Sequence, residues 1–289
     1  MIDGELTPPE RATVGVLDRG FLYGDAVFET LRTYRGEPFL LDRHLERLAR
    51  GATVLGIELP VSTDALAGEV RMTLGAAGEG ECYVRITVTR GVASPGLDPS
   101  RASKPLRVVV AMPLERPPDD VYEVGLKTVT YASGRSLGVS PARGVKTGNY
   151  LESILAVRAA RERGATDALI VDAGGRVVQG ASSNVFFVTA GGLVTPPLEA
   201  GILPGITRDV VLEIADALAI PVELGTPLIA DLHAFDEIVL TSSVRELAPV
   251  VEVDGVRVGA GQPGLVFTRL RAEFQKRVNP VEYDGARQV

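Results

Sequence analysis

One stretch of this 289-residue chain reads as a break between folded units: Pro113-Leu-Glu-Arg-Pro117-Pro118-Asp-Asp. Its prolines remove backbone donors, fix φ, and push each preceding residue away from the helical region. The residues on either side must therefore fold as separate series. This predicts an N-terminal α/β domain over 1–112, a linker over 113–120 and a second domain over 121–289. With 45% hydrophobic and 23% charged residues, each part can build a core of its own.

Both series mix strand-like and helix-like text. Ala26 to Tyr34 is β-branched and aromatic, with Gly24-Asp25 before it and Arg35-Gly36 after, and reads as a strand. Asp42 then opens a helix whose Leu45, Leu48, Ala52 and Leu55 form one apolar stripe, stopped by Gly56. Cys82 to Arg90 alternates strictly, with Tyr83, Arg85, Thr87 and Thr89 on one face, and Leu106 to Met112 adds a third strand. Beyond the linker come a strand at Gly125–Tyr131, an irregular stretch over 132–144, and a helix from about Asn149 to Arg163. Short strands follow around two tight turns, at Ala173-Gly174-Gly175 and Ala190-Gly191-Gly192. A helix at Thr207–Ala219, a strand at Glu237–Ser242, a helix at Leu265–Arg277 and a ten-residue tail complete the reading.

The absences are informative. A formal charge of −7 argues against holding nucleic acid by bulk charge. A single cysteine, Cys82, excludes an internal disulfide framework, and its place on the apolar face of a strand reads as inert core. No apolar run approaches a membrane span and the N-terminus has no signal-peptide pattern, so a cytoplasmic protein is expected. Phosphate-loop, dinucleotide, zinc-protease and serine-hydrolase motifs are missing, and no metal-ligand spacing is found. Of two histidines, His44 reads as structural at a helix start and His233 as part of a polar turn. Chemistry without metal, thiol or histidine points to an organic cofactor.

Four features carry what chemistry is visible. Lys146 stands just before a helix, where the positive dipole end disfavours its charged form and leaves an amine able to attack an aldehyde; alone, it reads first as an exposed loop lysine. Gly205-Ile206-Thr207 begins a helix with free N–H groups and a hydroxyl, a seat for phosphate or simply a cap. Thr241-Ser242-Ser243 offers hydroxyls at a strand end. Arg47 lies off its helix's leucine stripe and reads by periodicity as a solvated charge.

Taken in order, these residues resemble the fold-type IV, or class IV, pyridoxal-phosphate aminotransferases. The matching elements are Gly24-Asp25-Ala-Val-Phe28-Glu29-Thr, His44-Leu-Glu-Arg47-Leu, Lys146-Thr-Gly-Asn-Tyr150-Leu, Gly180-Ala-Ser-Ser-Asn184-Val-Phe, Gly205-Ile-Thr207-Arg-Asp and Thr241-Ser-Ser243. The likeness runs from about Asp18 to Phe274 and implies a mixed α/β, two-domain fold with the cofactor at the domain boundary. It also implies a homodimer. Lys146 is similar to the lysine that joins pyridoxal 5′-phosphate as an aldimine and then shuttles the Cα proton. Arg47, Ile206, Thr207 and Ser243, joined by Ser242, match the phosphate-binding positions, and Tyr150 matches the tyrosine on the phenolic oxygen. Where the family has a glutamate toward the pyridine nitrogen, this chain has Gln179, which can hydrogen-bond but carries no charge. The expected result is a weaker electron sink and slower Cα deprotonation, unless a neighbouring acid substitutes.

Tyr23, Phe28, Tyr83 and Arg85 fall at positions matching the branched-chain aminotransferase pocket. The resemblance therefore implies transfer from a branched-chain or similar apolar L-amino acid to 2-oxoglutarate. Aminodeoxychorismate lyase is the alternative. A D-amino-acid specificity is disfavoured, because Phe28 replaces a tyrosine and Ala93–Asp98 lacks an Arg-x-His; a cofactor-binding protein of low turnover is a further reading, resting on Gln179.

Overall fold

The computed structural model describes residues 1–133 and 140–279. The irregular stretch read over 132–144 lies in part, and the ten-residue tail wholly, outside the described residues. Element ranges below follow the chain.

A short helix, α1 (Arg19–Tyr23), leads into β1 (Ala26–Tyr34), β2 (Glu37–Pro38) and α2 (Leu41–Leu55). Helix α2 begins one residue before Asp42 and ends at Gly56, whose left-handed φ of 61° closes it. Next come α3 (Thr63–Ala77), β3 (Cys82–Thr89) and β4 (Arg107–Pro113). The four strands form an antiparallel sheet in the order β2-β1-β3-β4. Inward residues of β1 (Val27, Leu31) and β3 (Val84, Ile86, Val88) pack against Leu45, Leu48 and Ala52 of α2, and α3 adds Leu66 and Val70. The sequence reading missed α3, although Ser62 caps it by accepting from the Ala65 N–H at 3.2 Å.

Residues 114–119 join this sheet to α4 (Asp120–Glu123). There follow β5 (Leu126–Ala132), α5 (Leu151–Glu162), β6 (Asp167–Val171), β7 (Val177–Gly180), β8 (Asn184–Thr189) and β9 (Gly192–Thr195). The series continues with α6 (Ile206–Ala217), β10 (Val222–Leu224), β11 (Glu237–Ser242), β12 (Glu246–Val253), β13 (Val256–Arg257) and α7 (Leu265–Val278). The second sheet is ordered β10-β9-β8-β11-β12-β5-β6-β7, with β13 beside β12. Strand β12 is central yet contains Pro249, a residue that sequence reasoning takes as evidence against a strand. It is accommodated because Pro249 lies opposite Val239 of β11, while pairing with β5 begins only at Val250. Helices α6 and α7 cover one face of this sheet through Val210, Val211, Ile214, Phe267, Leu270 and Phe274.

Strand β1 also reaches the second half of the molecule. The Phe28 N–H donates to the Lys146 carbonyl at 3.0 Å and the Gly148 N–H to the Ala26 carbonyl at 3.2 Å, so residues 146–148 lie antiparallel against β1. At the other end, Tyr34 Oη and Arg32 Nη1 donate to Glu246 Oε1 at 2.7 and 3.2 Å, and Arg32 Nη1 also reaches the Val244 carbonyl at 3.3 Å. The approach of 146–148 to β1 depends on Gly24. Its φ is +66°, and a Cβ there would sit 2.6 Å from Asn149 Oδ1.

Replacing Gly24 by Ala is therefore expected to lower stability by about 1–2 kcal/mol, through left-handed strain plus crowding of Asn149. Urea denaturation measures this directly, and an unchanged midpoint refutes the crowding.

Candidate active site

A buried carboxylate organises the region where the two sheets meet. Glu29 takes an inward position of β1, between Val27 and Leu31, and is wholly buried. Its oxygens accept from Arg47 Nε and Nη2, both at 2.7 Å, and from His44 Nδ1 at 2.7 Å. An ionised carboxylate can only accept, so the His44 Nδ1 carries the hydrogen. Burial alone would raise the Glu29 pKa, yet the hydrogen bonds from Arg47 and His44 outweigh it and hold it at about 2. Burial is the main force on His44 and lowers its pKa from the ordinary value, despite the bond to Glu29.

Periodicity read Arg47 as a solvated charge, and the structure corrects that reading: Arg47 is only 6% exposed. His44, Arg47 and Gly51 form a second inward row on α2, beside the leucine stripe. Glu29 accounts for it, because it gives the guanidinium a matched partner inside the fold. Arg47 Nη1 then donates to the Pro204 carbonyl at 2.6 Å, tying α2 to the entry of α6. That entry is tight: a Cβ on Gly205 would overlap Asn184 Oδ1. No side chain caps α6, which leaves the Ile206 and Thr207 N–H groups available.

Arg47, Ile206, Thr207, Ser242 and Ser243 line one cavity of about 930 Å³, together with Lys146, Tyr150, Gln179 and Tyr23. Lys146 Nζ donates to Tyr150 Oη at 3.1 Å and lies 4.5 Å from the centre of the Phe28 ring. Burial is the largest effect on its ammonium; Glu29 opposes it, Arg47 and Arg85 add to it, and the pKa falls to about 8. One pH unit below such a value roughly one lysine in ten is a neutral amine, against a negligible share for a solvated lysine. Burial also pushes the Tyr150 phenol up.

The substrate positions read from sequence divide. Tyr23 lines the cavity, whereas Phe28, Tyr83 and Arg85 stand beside it. Phe28 is 1% exposed, its ring 5.3 Å from that of Tyr150 and 3.7 Å from the Arg85 guanidinium carbon. Arg85 and Tyr83 share one face of β3, opposite Thr30 and Arg32 of β1. His233 is exposed and Cys82 is buried in the first core. Thr241, read from the sequence with Ser242 and Ser243 as a source of hydroxyls, also lines the cavity, and its buried hydroxyl has no hydrogen-bond partner. Sequence reasoning gave no role to two further participants. One is Ser183, which lines the cavity with a buried, unpartnered hydroxyl. Glu29 is the other; the available signal was a carboxylate at an inward position of an otherwise apolar strand face.

Among the described residues no cluster suited to a metal ion occurs, and no helix is long and apolar enough to cross a membrane. The family model for class IV amino-transferases matches residues 26–253. A Methanocaldococcus jannaschii protein, whose own assignment as a branched-chain-amino-acid aminotransferase is provisional, is 38% identical, covering 95% of this chain and 94% of its own. The D-alanine aminotransferase of Staphylococcus haemolyticus is 34% identical over 96% of both chains. Among solved structures, the T.th. branched-chain amino acid aminotransferase complexed with N-(5′-phosphopyridoxyl)-L-glutamate superposes with a TM-score of 0.88 at 30% identity, covering 96% of this chain and 93% of that one.

The charge on Glu29 has a thermodynamic consequence. Its folded pKa of about 2 lies below the ordinary 4.5, so its contribution is present above pH 4.5 and lost as pH falls toward 2. At 1.36 kcal/mol per unit this amounts to on the order of 3 kcal/mol. Urea denaturation between pH 7 and 3 is expected to show that acid limb, and Glu29→Gln to flatten it while lowering stability at pH 7 by about 3–5 kcal/mol, because Arg47 loses its buried partner.

Proposed function

The chain belongs to the class IV aminotransferases, and on that premise we propose that it uses pyridoxal 5′-phosphate to move the amino group of a branched-chain or similar apolar L-amino acid to 2-oxoglutarate. The observation that carries this reading is one cavity holding a lysine of pKa about 8 together with an uncapped helix start, an arginine and two serines. The residues present fit the cofactor. Arg47, the Ile206 and Thr207 N–H groups and the Ser242–Ser243 hydroxyls suit a phosphate monoester, and the unpartnered Ser183 and Thr241 hydroxyls await polar partners in the same wall. When bound, the cofactor supplies an aldehyde for amines and a ring that accepts electrons from Cα.

The chain's own groups do the rest. Glu29 holds Arg47 in one orientation, so the phosphate seat is fixed before anything binds. Lys146, once its amine is free and neutral, takes the proton from Cα and returns it, and Tyr150 Oη holds it in place between transfers. Gln179 lines the cavity, and its uncharged amide would be the partner of the ring nitrogen of the bound cofactor. No acid of the described cavity wall stands free to replace it, because Asp25 is held by Arg19 and Arg90, each at 2.8 Å. Slow Cα deprotonation follows.

The apolar donor is supported by Phe28 and Tyr150 packing around Lys146, and by likeness to branched-chain enzymes. Relatives named D-alanine aminotransferases make D-alanine the second donor to try. A homodimer is supported by Phe21, Leu151 and Ile154, which are 69%, 65% and 59% exposed on α1 and α5, the same elements that present Tyr23 and Ser153 to the cavity.

Addition of L-leucine alone to the cofactor-loaded protein is expected to replace the absorption of the lysine-bound cofactor by that of pyridoxamine phosphate, and 2-oxoglutarate to reverse it. Response to D-alanine and not L-leucine refutes the donor; response to neither, with pyruvate released from aminodeoxychorismate, refutes transamination. Lys146→Ala is expected to abolish the starting band and slow the half-reaction by about 10²–10⁴-fold. Gln179→Glu is expected to speed it, and an unchanged or slower rate refutes the role given to the missing charge.

A further inference from the structure

The proposed phosphate seat has two halves. Arg47, Ile206 and Thr207 make one; Ser242 and Ser243, where β11 turns into β12, make the other. The first half is fixed to β1 through Glu29, which accepts from Arg47. The second is fixed to the same strand by a pair of reversed polarity. Arg32, three residues after Glu29 and so on the other face of β1, donates from Nη1 to Glu246 Oε1 at 3.2 Å and to the Val244 carbonyl at 3.3 Å. Arg32 and Glu246 are 6% and 5% exposed, so this is not a solvated surface pair. Glu246 also accepts from Tyr34 Oη at 2.7 Å and from Gln275 Nε2 at 2.6 Å. It keeps a left-handed φ of 59°, which a residue with a side chain adopts where its surroundings impose it.

Inside the turn, the Arg245 N–H donates to Ser242 Oγ at 3.3 Å, which occupies a lone pair and leaves the hydroxyl hydrogen available to an anion. Tyr122 Oη donates to the Arg245 carbonyl at 3.2 Å, and Asp167 accepts from the Arg245 guanidinium at 2.5 Å. We infer, on the premise that the cofactor binds as proposed, that Arg32 and Glu246 are positioning residues for its phosphate. They set the turn over 242–245 against β1, at a fixed separation from Arg47, although neither of them lines the cavity. A phosphate monoester takes donors from both halves at once, so a turn free to shift loses part of the contact. Because Glu29 and Arg32 belong to one strand, the spacing of the two halves is written into β1.

Pyridoxal, which has the aldehyde but no phosphate, separates positioning from general damage. The cofactor-free, full-length chain is titrated with each compound and followed by the absorption of the lysine-bound aldehyde. The unaltered chain is expected to prefer pyridoxal phosphate. Arg32→Met is expected to raise the half-saturating concentration of pyridoxal phosphate roughly tenfold or more and to leave that of pyridoxal within about twofold. Glu246→Gly, which suits the left-handed φ but removes the anchor, is expected to act alike. Glu246→Gln still offers Arg32 and Tyr34 an oxygen and is expected to stay within about threefold of the unaltered chain. Equal weakening of both compounds, or a preference that survives Arg32→Met and Glu246→Gly, overturns the inference alone. An unaltered chain without the preference refutes the cofactor assignment, and the inference with it. Should Arg32→Met fold poorly, Arg32→Lys keeps a cation for Glu246 but not the planar group that spans Glu246 and Val244. It is expected to lower the preference by about threefold, and an unchanged preference refutes the positioning role.

Discussion

The geometry of this protein hangs on a few backbone hydrogen bonds between β1 and residues 146–148. They make the lysine segment an extra, very short neighbour of a strand that belongs to the other sheet. Every residue of β1 then acquires a meaning from its parity. Val27 and Leu31 fill the first core, and Glu29, on the same side, reaches through α2 to Arg47. Phe28 turns the other way, to Lys146 and Tyr150, and Arg32 continues on that side to Glu246. A one-residue slip in β1 would exchange the two sets and dismantle both the core and the cavity.

Charge in the cavity wall is arranged by compensation. Arg47 is matched by Glu29, and Arg19 and Arg90 share Asp25, whose pKa burial would raise but which those two arginines hold low. Lys146 has no such carboxylate at contact distance, only Tyr150. Matched guanidinium groups cost little to keep dry and still present N–H donors outward, whereas the unmatched ammonium is the group that surrenders its proton.

Much of this was legible in the sequence, for a physical reason. Gly205-Ile206-Thr207 at a helix start and Ser242-Ser243 at a strand end are local signals, each written within a few residues, whereas the helix after Lys146 begins only at Leu151 and it is burial, not the helix end, that lowers the lysine's pKa. Helix α2 and strands β1, β3 and β11 follow from periodicity and came within a residue or so of their observed limits. What stayed hidden depends on distant partners. Arg47 looks solvated until Glu29, 18 residues earlier, is seen beside it, and Arg32 meets Glu246 across 214 residues. Strand β12 was obscured by Pro249, whose acceptability depends on which neighbour pairs where.

The short ladder at β1 also governs how anything can enter. A hinge that swung the two sheets apart would have to break the bonds at Phe28 and Gly148, and would carry the lysine away from Phe28 as it opened. Opening along this seam therefore carries a cost that opening at the rim does not. At that rim Tyr23 Oη accepts from the Gly96 N–H at 3.0 Å and Arg19 Nη1 donates to the Gly96 carbonyl at 2.8 Å, so the segment around Gly96 is fastened to the side chains of α1 that face the cavity.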